Sequence, residues 1–426
     1  MRLEKLSLFE TKKEFFIFIS LAFFIFLYAL LIEFNNYKNL TKFDSNIVMA
    51  TIIKQYSKTK LTKKGKTKSY QVLKLKSTQG FSFYTTTNKK FPLSKGKKIK
   101  LEIWAGKITF YQFLTSFYGF SKIIYMYKTP TIKLKLNSSI ASSHKDAQTT
   151  QIYQALYTAT PLSKELQQIF STLGISHLFA ISGFHLGVLS ALLFFLFKTP
   201  YKFFQNRYFP YRSYKLDSFI FIALTLLAYL LFLDSPASLL RAFVMLIIGF
   251  ILYDRGYKII SMQTLLLTAI LILSFFPRLF FSLGFWLSVS GVFYIFLFLI
   301  HFKHISKIWQ FILVPIWVYL MMLPLSLFIF ENFSLYHPLS ILWTSLFTLF
   351  YPLSIFLHLI GLGNLLDNFL HVLLNLNTEA RLISLPLWLG IIYLFVSFLA
   401  IFKKLHVYLL LSLALLIFVH SIYQIT

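Results

Sequence analysis

Two histidines, a serine and two glycines fall between His177 and Gly187 (HLFAISGFHLG), in a stretch that then runs apolar to Phe197. An imidazole beside a hydroxyl can hold or pass a proton. Ser182 and His185, at i and i+3, have the spacing at which a nucleophile and its base can approach. Such groups are costly in hydrocarbon and usually face a protein interior or a water-filled path. Drawn as one helix over 175–197, at about 100° per residue, Ser176, Ala180, Gly183, Gly187 and Ala191 form a narrow stripe of small residues. Gly183-x-x-x-Gly187 is the minimal pattern for close helix approach. His185 lies opposite, flanked by Ser182 and His177. One face is expected to pack, and the face carrying His177, Ser182, Gly183 and His185 to line a polar path. The plainer alternative is a set of hydrogen-bonded interior groups, and a break at Gly183 would spoil the wheel while favouring a cavity.

Two further places carry polar or small groups within apolar surroundings. Ser235-Pro236 has the form of an N-cap followed by proline in the first turn, opening the helix that holds Arg241. That cation either snorkels outward or lines the outer mouth of a path for an anion. Gly284, Ser288 and Gly291 form a second small-residue stripe, expected to pack, with Ser288 set beside the same path. Asp217, Asp234, Asp254, Glu331, Asp367 and Glu379 fall at span ends or in loops. No carboxylate at mid-membrane means no ordinary proton or cation relay and no intramembrane aspartyl protease. A path free of fixed negative charge suits a polyanion. The chain has no cysteine, no H-x-H-x-D-H or H-E-x-x-H zinc motif and no G-x-x-x-x-G-K-S/T loop. No metal, no cofactor and no ATP hydrolysis of that kind is expected, and no catalytic residue is assigned.

The elements that must position these groups are membrane helices. Hydrophobic residues make up 57% of the chain and charged ones 13%. Apolar runs near 14–34, 175–197, 218–234, 237–253, 259–276, 282–300, 309–330, 338–360, 383–402 and 405–423 could each span a core of about 30 Å. The first run is too long for a signal peptide and is expected to remain as an anchor. Lysine and arginine cluster in alternate loops: Lys198, Lys202, Arg207, Arg212 and Lys215; Arg255 and Lys258; Lys303 and Lys307. These loops should be cytoplasmic, leaving residues 35–174 outside. Lys403-Lys404 then lands outside, against the rule, unless the amphipathic stretch Gly361–Leu382 conceals another crossing. The expected fold is a polytopic α-helical membrane protein of about ten helices with an inserted, small all-β extramembrane domain of OB type. Its parts are an N-terminal region with anchor at 1–37, the basic domain at 38–140, an amphipathic lead-in at 141–174 and the polytopic domain at 175–426.

The inserted domain is strongly basic. Residues 38–135 hold 22 Lys, no Arg and two acids, Asp44 and Glu102. Codon bias explains Lys over Arg but not the missing acids, so a polyanionic partner is expected: nucleic acid, anionic headgroups or cell-wall polymer. Ser69–Lys76, Phe81–Thr87 and Lys97–Trp104 read as strands, with Ile47–Gln55 and Ile108–Phe113 completing a five-stranded barrel. Lys63, Lys64, Lys66, Lys68, Lys74, Lys76, Lys97, Lys98 and Lys100 are the candidate DNA-contacting residues. Tyr70, Phe81, Phe83, Tyr84 and Trp104 among them could stack on bases, though a small barrel also needs aromatics for its core.

HLFAISGFHLG resembles the HLLAISGLHVG block of the ComEC-type competence proteins. Leu156–Leu178 resembles the lead-in to that block. SPASLLRAFVM at 235–245 is similar to PSVLRAALM, and PRLFFSLGFWLS at 277–288 to the family's dP…GFQLS block, with Trp286 in place of Gln. LPLSLFIF at 323–330 resembles a later span. The asparagine of a following NLLAVPL-like block is not evident in 338–352. The resemblance implies a channel of the bacterial inner membrane that moves one strand of transforming DNA inward, with its OB-like domain in the periplasm. It implies single-stranded DNA and the bilayer as partners, together with a periplasmic DNA receptor, a cytoplasmic helicase-like ATPase and single-strand-binding proteins. Many members carry a metallo-β-lactamase-like domain after the last span. This sequence is expected to be a form without it, so degradation of the other strand would fall to a separate nuclease. The alternatives are a membrane enzyme acting on lipid or cell-wall precursors through Ser182 and His185, which lacks a G-x-S-x-G turn or third triad member, and a small-solute exporter, which lacks carboxylates and an evident repeat.

Overall fold

The computed structural model describes residues 9, 11–61, 67–89, 91–92, 94, 96–127, 132–179, 181–376 and 381–424. It divides into two compact units, one of residues 13–137 with 273–282, the other of 1–12, 138–272 and 283–426.

The first unit starts with α1 (Lys12–Thr41), 30 residues of almost wholly apolar sequence, with exposed Phe16, Leu21, Phe24 and Leu31. At 1.5 Å per residue such a helix is about 45 Å long, ample for a bilayer core. It feeds a sheet of β1 (Asn46–Leu61), β2 (Thr67–Ser77), β3 (Ser82–Asn88) and β4 (Lys98–Trp104), followed by α2 (Phe110–Thr115), β5 (Phe117–Tyr118) and β6 (Phe120–Met126). The order is β5-β3-β2-β1-β4-β6. β5 pairs in parallel with β3 and β6 antiparallel with β4, so one stretch, 117–126, takes up both edges of the sheet. Inside lie Ile52, Leu73, Leu75, Phe81, Phe83, Ile99, Leu101, Ile103, Phe113 and Phe117, all at most 4% exposed. Each fully buried side chain of this size contributes about 1.5–3 kcal/mol. Strand alternation is plain in β4, where Ile99, Leu101 and Ile103 are buried between outward Lys98, Lys100 and Trp104.

Two expectations for this unit are corrected. Ile108–Phe113 is not a strand: Thr109 accepts from the Gln112 N–H while the Gln112 side chain accepts from the Thr109 N–H, and this capping box starts α2. The sheet has six strands, because 117–126 supplies two that the barrel expectation lacked. The turn at Pro277–Phe281 belongs to this unit. There the Arg278 guanidinium meets Glu33 of α1 at 2.5 Å and lies over the Phe113 ring.

The second unit is helical: α3 (Ile132–Ser143), α4 (Ala147–Thr158), α5 (Lys164–Thr172), α6 (Ser176–Phe179), α7 (Gly183–Tyr208), α8 (Tyr214–Phe232), α9 (Ala237–Asp254), α10 (Met262–Phe275), α11 (Leu283–His301), α12 (Lys307–Phe330), β7 (Asn332–Phe333), α13 (Ser340–Leu359), α14 (Asp367–Leu374), β8 (Arg381–Leu382), α15 (Leu387–Leu399) and α16 (Lys404–Tyr423). Among the described residues, seven helical segments of the whole chain are long and apolar enough to cross a membrane: α1, α7, α8, α11, α12, 337–359 and α16. α9, with 18 residues, and the shorter α10 and α15 occupy the other positions where spans are expected. The single helix expected over 175–197 is broken: α6 ends at Phe179 and α7 begins at Gly183. Ser235 does not cap α9. It has a left-handed backbone (φ 51°), as does Asp234 (φ 62°), and Pro236 takes the cap position.

β7 pairs with β8, Asn332 opposite Leu382 and Phe333 opposite Arg381, and the Ile383 N–H donates to the Glu331 carbonyl at 2.8 Å. Strand partners lie on one side of any bilayer. The chain between them, α13 and α14 included, therefore crosses an even number of times or not at all. At the other end of the same bundle, Lys404 at the head of α16 lies over the ring of Phe302, just after α11.

Candidate functional site

The break between α6 and α7 is built by local hydrogen bonds. Ser182 is the N-cap of α7, extended at φ −130°, ψ 173°. His185 takes the third helical position, where a capping box normally has Glu or Gln. Its Nδ1 accepts from the Ser182 N–H at 3.2 Å and meets the Ser182 hydroxyl at 3.1 Å. A nitrogen that accepts from an amide carries no proton, so the neutral ring holds its hydrogen on Nε2. That Nε2 is buried without a hydrogen-bond partner. The fully buried imidazole stands edge-on to Phe347 and Tyr351 of α13, ring centroids 5.3 and 4.8 Å away. A catalytic base would show a carboxylate at this nitrogen; His185 shows two aromatic rings.

Neighbouring helices hold the break. The Ser238 hydroxyl, in the first turn of α9, donates to the Ile181 carbonyl at 2.7 Å. A Cβ at Gly183 would stand 2.9 Å from the Ala242 Cβ, so glycine is what lets α7 approach α9. Arg241 points the other way on α9 and is 4% exposed. Its guanidinium donates to the Gly284 carbonyl at the start of α11, lies 5.6 Å from the Phe285 centroid and leaves Nε without a partner. Among the described residues it makes no ion pair. One carbonyl and a ring face leave this desolvated guanidinium incompletely hydrogen-bonded.

Ser182, Gly183 and His185 thus come together at one joint, which α9 couples to Arg241 and Gly284. Ser288 lies one turn further along α11. His177 is not on the His185 face: it is exposed on α6, with Nε2 3.3 Å from the Thr344 hydroxyl of α13. Ala180 lies outside the described residues. Among the described residues a Cβ at Gly187 or Gly291 would meet nothing within 4 Å, so the packing expected of these two glycines is not found there. The partners the sequence reading missed are Phe347, Tyr351 and Ser238. No local pattern marked Phe347 and Tyr351 among the many aromatic and aliphatic side chains of α13, and only the fold brings them, and Ser238 of α9, to the joint.

In the basic unit, Lys63, Lys64 and Lys66 lie outside the described residues, and Lys68 is described as part of the β2 backbone alone. Lys74 and Lys76 face outward on β2, alternating with buried Leu73 and Leu75. Thr51 of β1 pairs with both Lys76 and Lys98, and Met49 with Lys100, so lysines from β2 and β4 flank β1 on one face. Lys97 precedes β4 and is half-buried. Lys74 lies over the Tyr84 ring. The aromatic expectation is corrected: Phe81 and Phe83 stack with Phe113 and Phe117 in the core and are unavailable to bases. Trp104 is 42% exposed and pairs across strands with Phe120, 71% exposed, a residue not singled out from sequence.

A family model described as "Competence protein" matches residues 158–423. No curated protein and no solved structure matches the chain.

Proposed function

The chain belongs to the competence protein family, which ties it to DNA uptake in natural competence, and from that premise we propose that it is the channel by which a single DNA strand crosses the bacterial inner membrane from periplasm to cytoplasm. The observation that carries this reading is Arg241. A cation 4% exposed, with no acid paired to it among the described residues, is an unfavourable arrangement unless an anion visits. The basic β unit supports the same reading. Its OB-like barrel would collect the strand on the periplasmic face through the lysines flanking β1, and Trp104 with Phe120 would supply stacking surface. A periplasmic receptor, a cytoplasmic helicase-like ATPase, single-strand-binding proteins and a separate nuclease would complete the route.

The β7–β8 pair supports one sidedness. With an even number of crossings between the two strands, Lys403 and Lys404 fall on the same side as Lys303 and Lys307. Every basic loop then obeys one orientation, cytoplasmic. The discrepancy in the sequence count is removed by a return crossing, or by none, within 334–380.

The enzyme alternative rests on Ser182 and His185, and their geometry disfavours it, since the base has no orienting carboxylate. The deciding experiment follows labelled DNA in a strain lacking this chain. Arrest in the periplasm, relieved by restoring the chain, is expected. Unchanged cytoplasmic entry overturns the channel, and altered lipid or wall precursors would favour the enzyme.

A further inference from the structure

Outside the joint described above, four polar side chains from distant parts of the second unit form a continuous file, His144 buried and Tyr157, His358 and Asp367 half-buried. His144, in the turn between α3 and α4, places Nδ1 2.9 and 3.1 Å from the two carboxylate oxygens of Asp367 at the head of α14. Its Nε2 lies 2.9 Å from the Nε2 of His358 near the end of α13. The His358 Nδ1 lies 2.7 Å from the Ser354 carbonyl and 3.2 Å from the Tyr157 hydroxyl of α4. The His144 side chain is fully buried, and Tyr153 stacks flat on its ring, 4.4 Å between centroids at 10°.

Counting donors decides the protonation state. With Asp367 ionised, its carboxylate and the Ser354 carbonyl only accept, so His144 Nδ1 and His358 Nδ1 both carry hydrogen. The Nε2–Nε2 contact needs one more hydrogen, shared between the rings. Two imidazoles then hold three N–H groups, which makes the pair a monocation opposite the Asp367 carboxylate. The file is neutral as a whole, the condition under which charges are tolerated in burial. A ring face of Tyr153 against the cationic imidazole is favourable as well.

We propose that His144, His358, Asp367 and Tyr157 form a proton-binding site whose shared proton latches the α3–α4 lead-in onto α13 and α14. Removing the proton sets two lone pairs face to face, or forces one ring to change tautomer and give up Asp367 or Ser354. Adding a fourth sets N–H against N–H between two cations. The latch is therefore closed with one shared proton and opens on either side of that state. The other titratable groups around it are Asp146 and Lys145 beside His144, His371 on α14, Tyr153 on α4, and Tyr229 and Tyr351 beyond Tyr157. None of them stands between the two rings. A metal does not fit: the ring nitrogens bond each other, and no group of three or more ligating side chains is found among the described residues.

The test uses the full chain in liposomes. With ring-15N histidine, a nitrogen–nitrogen coupling across an N–H···N hydrogen bond is expected in the unmodified protein, lost as pH rises through the histidine range of about 5 to 8 and absent in His358→Gln. Because the chain lacks cysteine, spin labels on Gln148→Cys and Asn368→Cys report the latch directly. Their distance distribution should be narrow where the coupling is seen, broaden where it is lost, and ignore pH in His358→Gln. The site is overturned if the unmodified chain shows two neutral rings with no coupling at any pH in that range. The latch is overturned if the label distance does not follow the coupling.

Discussion

The ammonium group of Lys404 lies 5.5 Å from the ring centroid of Phe302, and Tyr408, one turn into α16, meets the same ring. Phe302 follows α11 directly and precedes Lys303. The head of α16 therefore shares an end of the bundle with the loop that joins α11 to α12, although the two are about a hundred residues apart in a chain whose hydrophobic pattern alone would separate them.

The sidedness that this contact implies for the C-terminal helices can be checked by labelling. In the cysteine-free chain, Lys303→Cys and Lys403→Cys should react with an impermeant maleimide from one side of the membrane, and Gln424→Cys from the other. If Lys403→Cys is labelled from the side opposite Lys303→Cys, the even-crossing reading of 334–380 is wrong.

Gly183 and Ala242 form a second checkable pair. A methyl group at 183 would overlap the Ala242 Cβ, 2.9 Å away. Gly183→Ala should cost about 1–3 kcal/mol through overpacking, read as a lower thermal midpoint in detergent. Ala242→Gly in the same chain should recover much of that loss, because the two groups compete for one space. Absence of rescue would mean that the α7 joint, rather than its contact with α9, sets the requirement.

For Arg241, the charge should matter more than the fork. Arg241→Lys should retain substantial DNA entry at normal membrane levels, whereas Arg241→Gln, which keeps a donor for the Gly284 carbonyl but not the charge, should lose most of it. Equal entry in the two variants, at equal protein level, would remove Arg241 from the path.

Asp146 makes a pH prediction outside the membrane helices. Its carboxylate caps α4 by accepting from the Thr149 N–H at 2.8 Å. That bond, helped by the Thr149 hydroxyl and opposed by burial, holds the carboxyl below the usual carboxylate range. A depressed carboxyl pKa contributes stability that is present above its unfolded value, about 3.9, and lost as pH falls through the lower folded value. Asp146→Ala should cost about 1 kcal/mol at neutral pH, and the gap between variant and parent should close as melting is measured at progressively more acid pH. A gap that stays constant down to the acid limit would show that the carboxylate charge is not what the cap uses.

The membrane helices were legible because bilayer thickness sets their length and the apolar runs are long. The joint at 180–182 was not. Its signal is a capping box, but with His185 where the usual rule looks for Glu or Gln, and Ser182 fitted a continuous wheel equally well. In the β unit, Thr109 and Gln112 carried a readable box that the β-forming composition around them masked. β5 escaped because two residues leave no alternating pattern to count, and β6 because FSKIIYM does not alternate apolar with polar. The histidine pair was beyond any local reading, since 214 residues separate His144 from His358 and nothing in either neighbourhood announces the other.

The stretch 117–126 has one more consequence. By lying along β3 at one end and β4 at the other, it seals two seams with a single piece of chain, hinged at Gly119, whose N–H donates to the Tyr84 carbonyl at 2.9 Å. The two edges that remain are those of β5, two residues long, and of β6, seven residues long, and an edge strand is where a further strand could pair. A nick at Gly119 would unfasten both seams together.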